Sequence, residues 1–334
     1  MAGIKTERYV AVDNVCAWPN LTRMPDGEIV ATIFNQPIHL EWPGDVECWA
    51  STDEGQMWEL RGTPAVQEPD TARGNVAAGV AHDGALVVIA SGWSYQGTPV
   101  VGQINELDRV LDPWVCRSTD GGRTWSREGT VAIPSGAPVL IPFGDIERCD
   151  DGLLGVSFYS DAEDGLHNTA WFLRSQDDGR TWGEAVMIGA DNYNETDLLY
   201  LGAGRWFAAA RTRRPGRIDL FVSEDGGASW QCHGPLTSPG QHPGHLMRLD
   251  DGRILLVYGL RTQGLRGVGA RFSADEGKTW GRPVVLVDLE DATDVGYPAS
   301  VQSPDGTIVT AYYCNGIPTH RRYHMGVVRW CADD

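Results

Sequence analysis

The chain lacks a run of 18 apolar residues, a C-x-x-C pair, a His/Cys cluster at zinc-ligand spacing and any sustained helical periodicity. The first absence leaves no segment able to cross a membrane as a helix. The second and third leave no metal site to be read, and nothing in the chain implies a cofactor. Positive charge is also scarce, with 27 Lys and Arg against 45 Asp and Glu and a formal net charge of −18. A surface of that sign repels phosphate backbones and anionic lipid, so neither nucleic acid nor a membrane is an expected partner. The opening MAGIKTERYV carries no apolar signal-peptide core, so the expectation is a chain without an export signal, resident in the cytoplasm. Cys16, Cys48, Cys116, Cys149, Cys232, Cys314 and Cys331 are scattered singly and read as small core hydrophobes of a reduced compartment.

What the chain has is punctuation, with 41 glycines and 19 prolines in 334 residues. The pattern Ser-x-Asp-x-Gly-x-x-Trp occurs five times: STDEGQMW from Ser51, STDGGRTW from Ser118, SQDDGRTW from Ser175, SEDGGASW from Ser223 and SADEGKTW from Ser273. Ser and Asp bond turn amides, Gly supplies a positive φ, and Trp covers an apolar layer. Upstream of each box, and once more near the end, lies an Asp-Gly-type turn between strands: MPDGEIVATIF, AHDGALVVIA, CDDGLLGVSFY, LGAGRWFAAA, LDDGRILLVY and SPDGTIVTAYY. The module is about 50 residues of β-meander repeated six times, the spacing of propeller blades. The expected fold is all-β, a six-bladed β-propeller forming one domain over residues 1–334. TERYVAVDN is expected to supply the last blade's outer strand, and long stretches such as Ser94 to Leu111 are read as loops.

Five such boxes on a six-fold β-repeat resemble the sialidase (neuraminidase) superfamily across essentially the whole chain. In that family the boxes are scaffold, so function rests on other positions. The resemblance implies hydrolysis of a terminal sugar bearing a carboxylate on its anomeric carbon. Three arginines grip the carboxylate, a tyrosine activated by a glutamate is the nucleophile, and an aspartic acid is the acid/base. A neutral phenol suits this substrate because a carboxylate nucleophile would be repelled by the sugar's own anion.

Carried over, the family's Asn-Glu followed by an arginine one hairpin later matches Asn194-Glu195 and Arg211. Glu195 is then the tyrosine's partner and Arg211 a clamp arginine. Arg266, upstream of the last box, matches a further clamp arginine, with Arg261 and Arg271 as neighbours that could be confused with it. The segment Gly296-Tyr297-Pro298-Ala299-Ser300 resembles the nucleophile segment and makes Tyr297 the candidate nucleophile. The family's first-blade arginine is absent, because Ala17 of Cys16-Ala17-Trp18-Pro19 holds its place. The acid is left among His39, Glu41 and Asp45.

Arg73, Asn75, Asp145, His242 and His245 also precede blade strands at the same end and are expected to converge on one mouth, with Arg73, Asp145 and His245 binding substrate. Each assignment has a plainer alternative. Arg211 and Arg266 could be paired strand-end arginines, Tyr297 a core aromatic, and His39 and Glu41 ordinary loop residues. Three functions follow: a sialidase-like exo-glycoside hydrolase acting on a terminal acidic sugar, a polysaccharide lyase acting on uronates, or a non-catalytic glycan-binding propeller. All take a carbohydrate partner.

Overall fold

The computed structural model describes residues 5–39, 43–96, 107–161, 167–289, 292–317 and 320–332. Among them every regular element is a strand, and the fold is an all-β propeller. Four sheets have four antiparallel strands each. They are Cys16–Arg23, Ile29–Phe34, Val46–Ser51 and Glu59–Ala65; Tyr193–Gly202, Arg205–Thr212, Ile218–Ser223 and Gln231–Pro235; Gln241–Arg248, Ile254–Thr262, Leu265–Ser273 and Val284–Asp288; and Val295–Gln302, Ile308–Ile317, His320–Trp330 and Thr6–Asp13.

The fifth sheet is continuous over nine strands. Their spatial order is Thr130–Val131, Thr181–Gly189, Asn168–Ser175, Leu154–Asp161, Ile141–Arg148, Thr71–Val80, Leu86–Tyr95, Leu107–Ser118 and Ser126–Arg127. It is joined where Gly144 and Asp145 pair in parallel with Ala77 and Ala78. Gly79 permits that approach, since a Cβ there would lie 2.3 Å from the Ile146 carbonyl. The innermost strands of successive sheets pack on one another around a common axis, and the ring closes between Val295–Gln302 and Cys16–Arg23.

Apolar layers between adjacent sheets hold the ring. One joins Leu255, Val257, Val268 and Val287 to Ile308, Tyr312, Val328 and Trp330. Fully burying such a side chain stabilises by about 1.5–3 kcal/mol. The Asp-Gly turns close as the sequence implies, with Gly27, Gly84, Gly152, Gly252 and Gly306 donating to the carbonyl three residues back. In the boxes, Ser175 Oγ accepts from Gly179 N–H at 2.8 Å while Asp177 Oδ1 accepts from Thr181 N–H at 2.7 Å.

The terminal strand behaves as expected, Thr6–Asp13 pairing antiparallel with His320–Trp330. Two expectations are corrected, and that of a positive-φ glycine in each box is borne out and extended. Strand pairing continues through Ser94↔Arg109 and Tyr95↔Leu107, so the flanks of the stretch read as loop are ladder, with residues 97–106 outside the described chain. The boxes use two left-handed residues in succession, as at Glu54 (φ 59) and Gly55 (φ 79) or Asp178 (φ 60) and Gly179 (φ 83). Five cysteines are buried, but Cys232 is exposed and Cys331 half-buried.

Candidate active site

Glu195, His242 and Tyr297 lie where the innermost strands lose register. Bulges interrupt pairing between Cys16 and Asn20, Tyr193 and Thr196, Gln241 and Gly244, and Gly296 and Ala299. A bulge re-aims its side chains out of the strand's alternation, here toward the mouth of the ring. Proline marks three of these sites, in Trp18-Pro19, His242-Pro243 and Tyr297-Pro298, because a residue without an N–H cannot continue a ladder. Tyr297 itself has φ 50, a left-handed conformation rare for an aromatic residue.

At that bulge, Tyr297 Oη donates to Glu195 Oε1 at 2.6 Å. Arg211 Nη1 donates to Tyr297 Oη at 2.9 Å and pairs with Glu195 Oε2. Burial, then the Glu195 carboxylate, raises the Tyr297 phenol above its ordinary value, while Arg211 and Arg261 oppose the rise. Trp18, Tyr313 and Phe143 wall the phenol, with ring centroids 5.5, 5.5 and 6.1 Å from that of Tyr297.

Arg261, rather than Arg266, is the second guanidinium of this cluster. It lies 5.8 Å from the Tyr297 ring and bonds Asp294 Oδ1 at 2.6 Å and the Val295 carbonyl at 3.0 Å. Arg266 instead bonds the Thr293 carbonyl at 2.7 Å. Asp294, which the sequence reading missed, also accepts from Tyr313 and Tyr323 at 2.9 and 2.8 Å. Burial pushes its carboxyl up, but Arg261, His39 and the two hydroxyls outweigh that and hold it below the usual range. Its closeness in sequence to Tyr297 was the one available signal.

Among the acid candidates, His39 Nε2 sits 3.2 Å from Asp294 Oδ2 and its ring 5.5 Å from Trp18. Burial lowers its pKa against the pull of Asp294. Glu41 lies outside the described residues. Asp45 does not join the cluster: its Oδ1 accepts from Gln67 N–H at 2.7 Å and its N–H donates to Asn35 at 2.9 Å, tying two loops together. Arg73 is likewise corrected. It turns into its own sheet, bonding the Asp112 carbonyl at 2.8 Å and Glu68 at 3.1 Å, with its guanidinium 3.8 Å from the Trp114 ring.

Asp145 and His245 lie deeper along the axis. His245 Nε2 is 3.1 Å from Asp145 Oδ2, and Asn20 Nδ2 donates to Asp145 Oδ1 at 2.9 Å. Asp197 accepts from the N–H groups of Asp145 (3.1 Å) and Leu246 (2.7 Å). Burial would keep His245 neutral, but Asp145 and Asp197 lift it to about 9. A cavity of about 20 Å³, room for one water, is lined by His245, Asp197, Asn20 and Tyr297. Asp145 and His245 are therefore charge partners beneath the mouth, not at it. Among the described residues no group of three His, Cys, Asp or Glu has metal-binding geometry.

A family model described as the BNR repeat-like domain matches residues 27–310. The chain is 28% identical to a sialidase of Micromonospora viridifaciens over 92% of its own length, and spans about half (52%) of that relative. Among solved structures it is similar to a protein of unknown function from Dyadobacter fermentans, with TM-score 0.82, 22% identity and 99% of each chain covered. It is also similar to the Hadza microbial sialidase Hz136, with TM-score 0.73 and 21% identity over 94% of this chain and 65% of that one. At those identities the two structures establish the fold alone.

Proposed function

The chain belongs to the BNR repeat-like domain family, and on that premise we propose that it is a sialidase-like exo-glycoside hydrolase releasing a terminal acidic sugar. The nine-stranded sheet is then read as two meanders joined at Thr71–Val80 and Ile141–Arg148, which makes a six-bladed propeller. The observation that carries the function is the hydrogen-bonded set Tyr297, Glu195 and Arg211.

In the proposed reaction Tyr297 Oη attacks the anomeric carbon as its proton passes to Glu195 Oε1. The bond to the leaving oxygen breaks as Glu41, or His39 in its imidazolium form, protonates it. Water then cleaves the tyrosyl glycoside, that acid returning as base and Glu195 giving its proton back to the phenol. Arg211 and Arg261 hold the sugar's carboxylate, each already oriented by a protein carboxylate. With Ala17 in the first sheet, no third guanidinium comes from that side among the described residues.

The test is incubation with oligosaccharides ending in N-acetylneuraminic, glucuronic or neutral sugars, followed by NMR and ultraviolet absorbance. A saturated acidic monosaccharide is expected. Tyr297→Phe is expected to lower its release by at least about 10³-fold, because the attacking oxygen is gone. Full turnover by Tyr297→Phe would overturn the assignment. An unsaturated product would move it to a uronate lyase, and tight binding without product to a glycan-binding propeller.

A further inference from the structure

The sheet that carries Glu195 and Arg211 holds two further arginines whose surroundings differ from those of the rest. Arg205 pairs with Glu224 and Glu276, Arg211 with Glu195, and Arg217 with Asp219. Arg213 and Arg214 form no ion pair among the described residues, in a chain whose net charge is −18. Cations left without a carboxylate of their own in so acidic a protein create a local positive field.

The turn that presents them is fixed by its own hydrogen bonds. The Asn192 carbonyl accepts from Arg213 N–H at 2.8 Å, and Asn192 Oδ1 accepts from Arg214 N–H at 3.0 Å. Asn192 Nδ2 returns a bond to the Arg214 carbonyl at 2.7 Å. Arg213 Nη1 donates to Oδ1 of buried Asn168 at 3.2 Å, whereas the Arg214 guanidinium has no bonded partner among the described residues. A cavity of about 270 Å³ lies among Arg213, Arg214, Asn192, His167 and Asp191. That is close to the lower bound of small-molecule sites, about 300 Å³, and gives room for part of one sugar. Two guanidinia against the single Asp191 carboxylate leave the lining with an excess of positive charge.

Position ties this cavity to the reaction. Arg213 is two residues beyond Arg211, at most about 7 Å along the chain, and Asn192 is three residues before Glu195. The Arg211 side chain is 20% exposed, while Arg213 and Arg214 are fully at the surface. An exo-acting site encloses the sugar it releases, so an exposed rim meets the part of the substrate that leaves. We propose, on the acidic-sugar reading, that Arg213 and Arg214 form an anion subsite at this rim, holding the carboxylate of the sugar next to the one released. The preferred bond is then one between two acidic sugars. Guanidinium forks match the two oxygens of a carboxylate, and at an exposed rim such contacts are modest and screened by salt.

Dimers of N-acetylneuraminic acid and of glucuronic acid are the probes, each compared with the same dimer whose reducing-end carboxyl is an amide. For the dimer that is cleaved, kcat/KM is expected to be about 3- to 10-fold higher with the free acid at low ionic strength. The ratio should shrink in about 0.5 M NaCl. Replacing both residues, Arg213→Gln with Arg214→Gln, should bring the ratio to about one through the KM of the acid form. Arg205→Gln removes the same charge from the same sheet away from the cavity and should keep the ratio. A wild-type ratio of one or less, a ratio that survives the double substitution, or one lost equally in Arg205→Gln overturns the proposal and leaves the hydrolase reading standing. Release of no acidic monosaccharide from any of the dimers removes that reading, and the subsite with it. Should the double variant not fold, Arg214→Gln alone decides: its ratio is expected to fall by about twofold or more, and an unchanged ratio overturns the proposal.

Discussion

Arg261 and Arg266 stand directly opposite each other on neighbouring strands, yet their guanidinia have different fates. Arg261 is drawn to the Tyr297 bulge by Asp294 and the Val295 carbonyl, while Arg266 stops at the Thr293 carbonyl. Arg261→Met should therefore weaken binding of the acidic sugar by about 10- to 100-fold, the worth of a hydrogen bond to a charged group. Arg266→Met should change it by less than about twofold, as substitutions away from special features usually do. Titration calorimetry on the two variants separates them, and equal losses would return Arg266 to the site. Tyr297, Glu195 and Arg211 were legible because the short segments around them resemble those of the sialidase superfamily. Asp294 was not, because its importance comes from Arg261, His39, Tyr313 and Tyr323, which meet it only in the folded chain.

Among the elements, the Asp box is the most regular device. Its serine is buried and holds the turn through the N–H four residues on, while its aspartate gathers the next amides. Ser175→Ala leaves the Gly179 N–H without its partner in a buried turn, which should cost about 1–3 kcal/mol. Urea unfolding monitored by tryptophan fluorescence measures it, and an unchanged midpoint would mean the turn is held by other contacts. The boxes were readable in the sequence because all their bonds are local. The bulges were less so. Pre-proline dipeptides flag Trp18, His242 and Tyr297, but the ladder they interrupt is defined by the partner strand.

For the molecule as a whole, the axis stores protons. His245, Glu147 and Asp197 are raised to about 9, 8 and 7. Burial is the first cause for both carboxyls; for His245 the neighbouring Asp145 and Asp197 overcome it. The native state therefore binds protons that the unfolded chain has released, so stability falls as pH rises from about 5 to about 9. The box aspartates Asp225 and Asp275 are held down to about 2, chiefly by hydrogen bonds from Ser229 and Thr279. Their contribution is lost only in acid, as pH falls below the usual carboxylate range. Thermal unfolding across pH 3 to 10 should show its highest Tm near about pH 5, and Glu147→Gln should flatten the alkaline fall. A Tm that climbs from pH 5 to 9 would contradict the proton-holding axis.

The sequence by itself determined what short-range physics controls: the all-β repeat, the turns and the boxes; its resemblance to the sialidase superfamily added a tyrosine, a glutamate and an arginine expected at one site. It also showed that Ala17 stands where a clamp arginine was expected. Only the tertiary structure decided which arginine joins Arg211, that Arg73 and Asp45 serve the scaffold, and that the His242 and Tyr297 bulges meet. Those outcomes depend on neighbouring sheets closing around one axis. Each side chain there chooses among partners dozens or hundreds of residues away, by distance, burial and charge that no local spacing encodes.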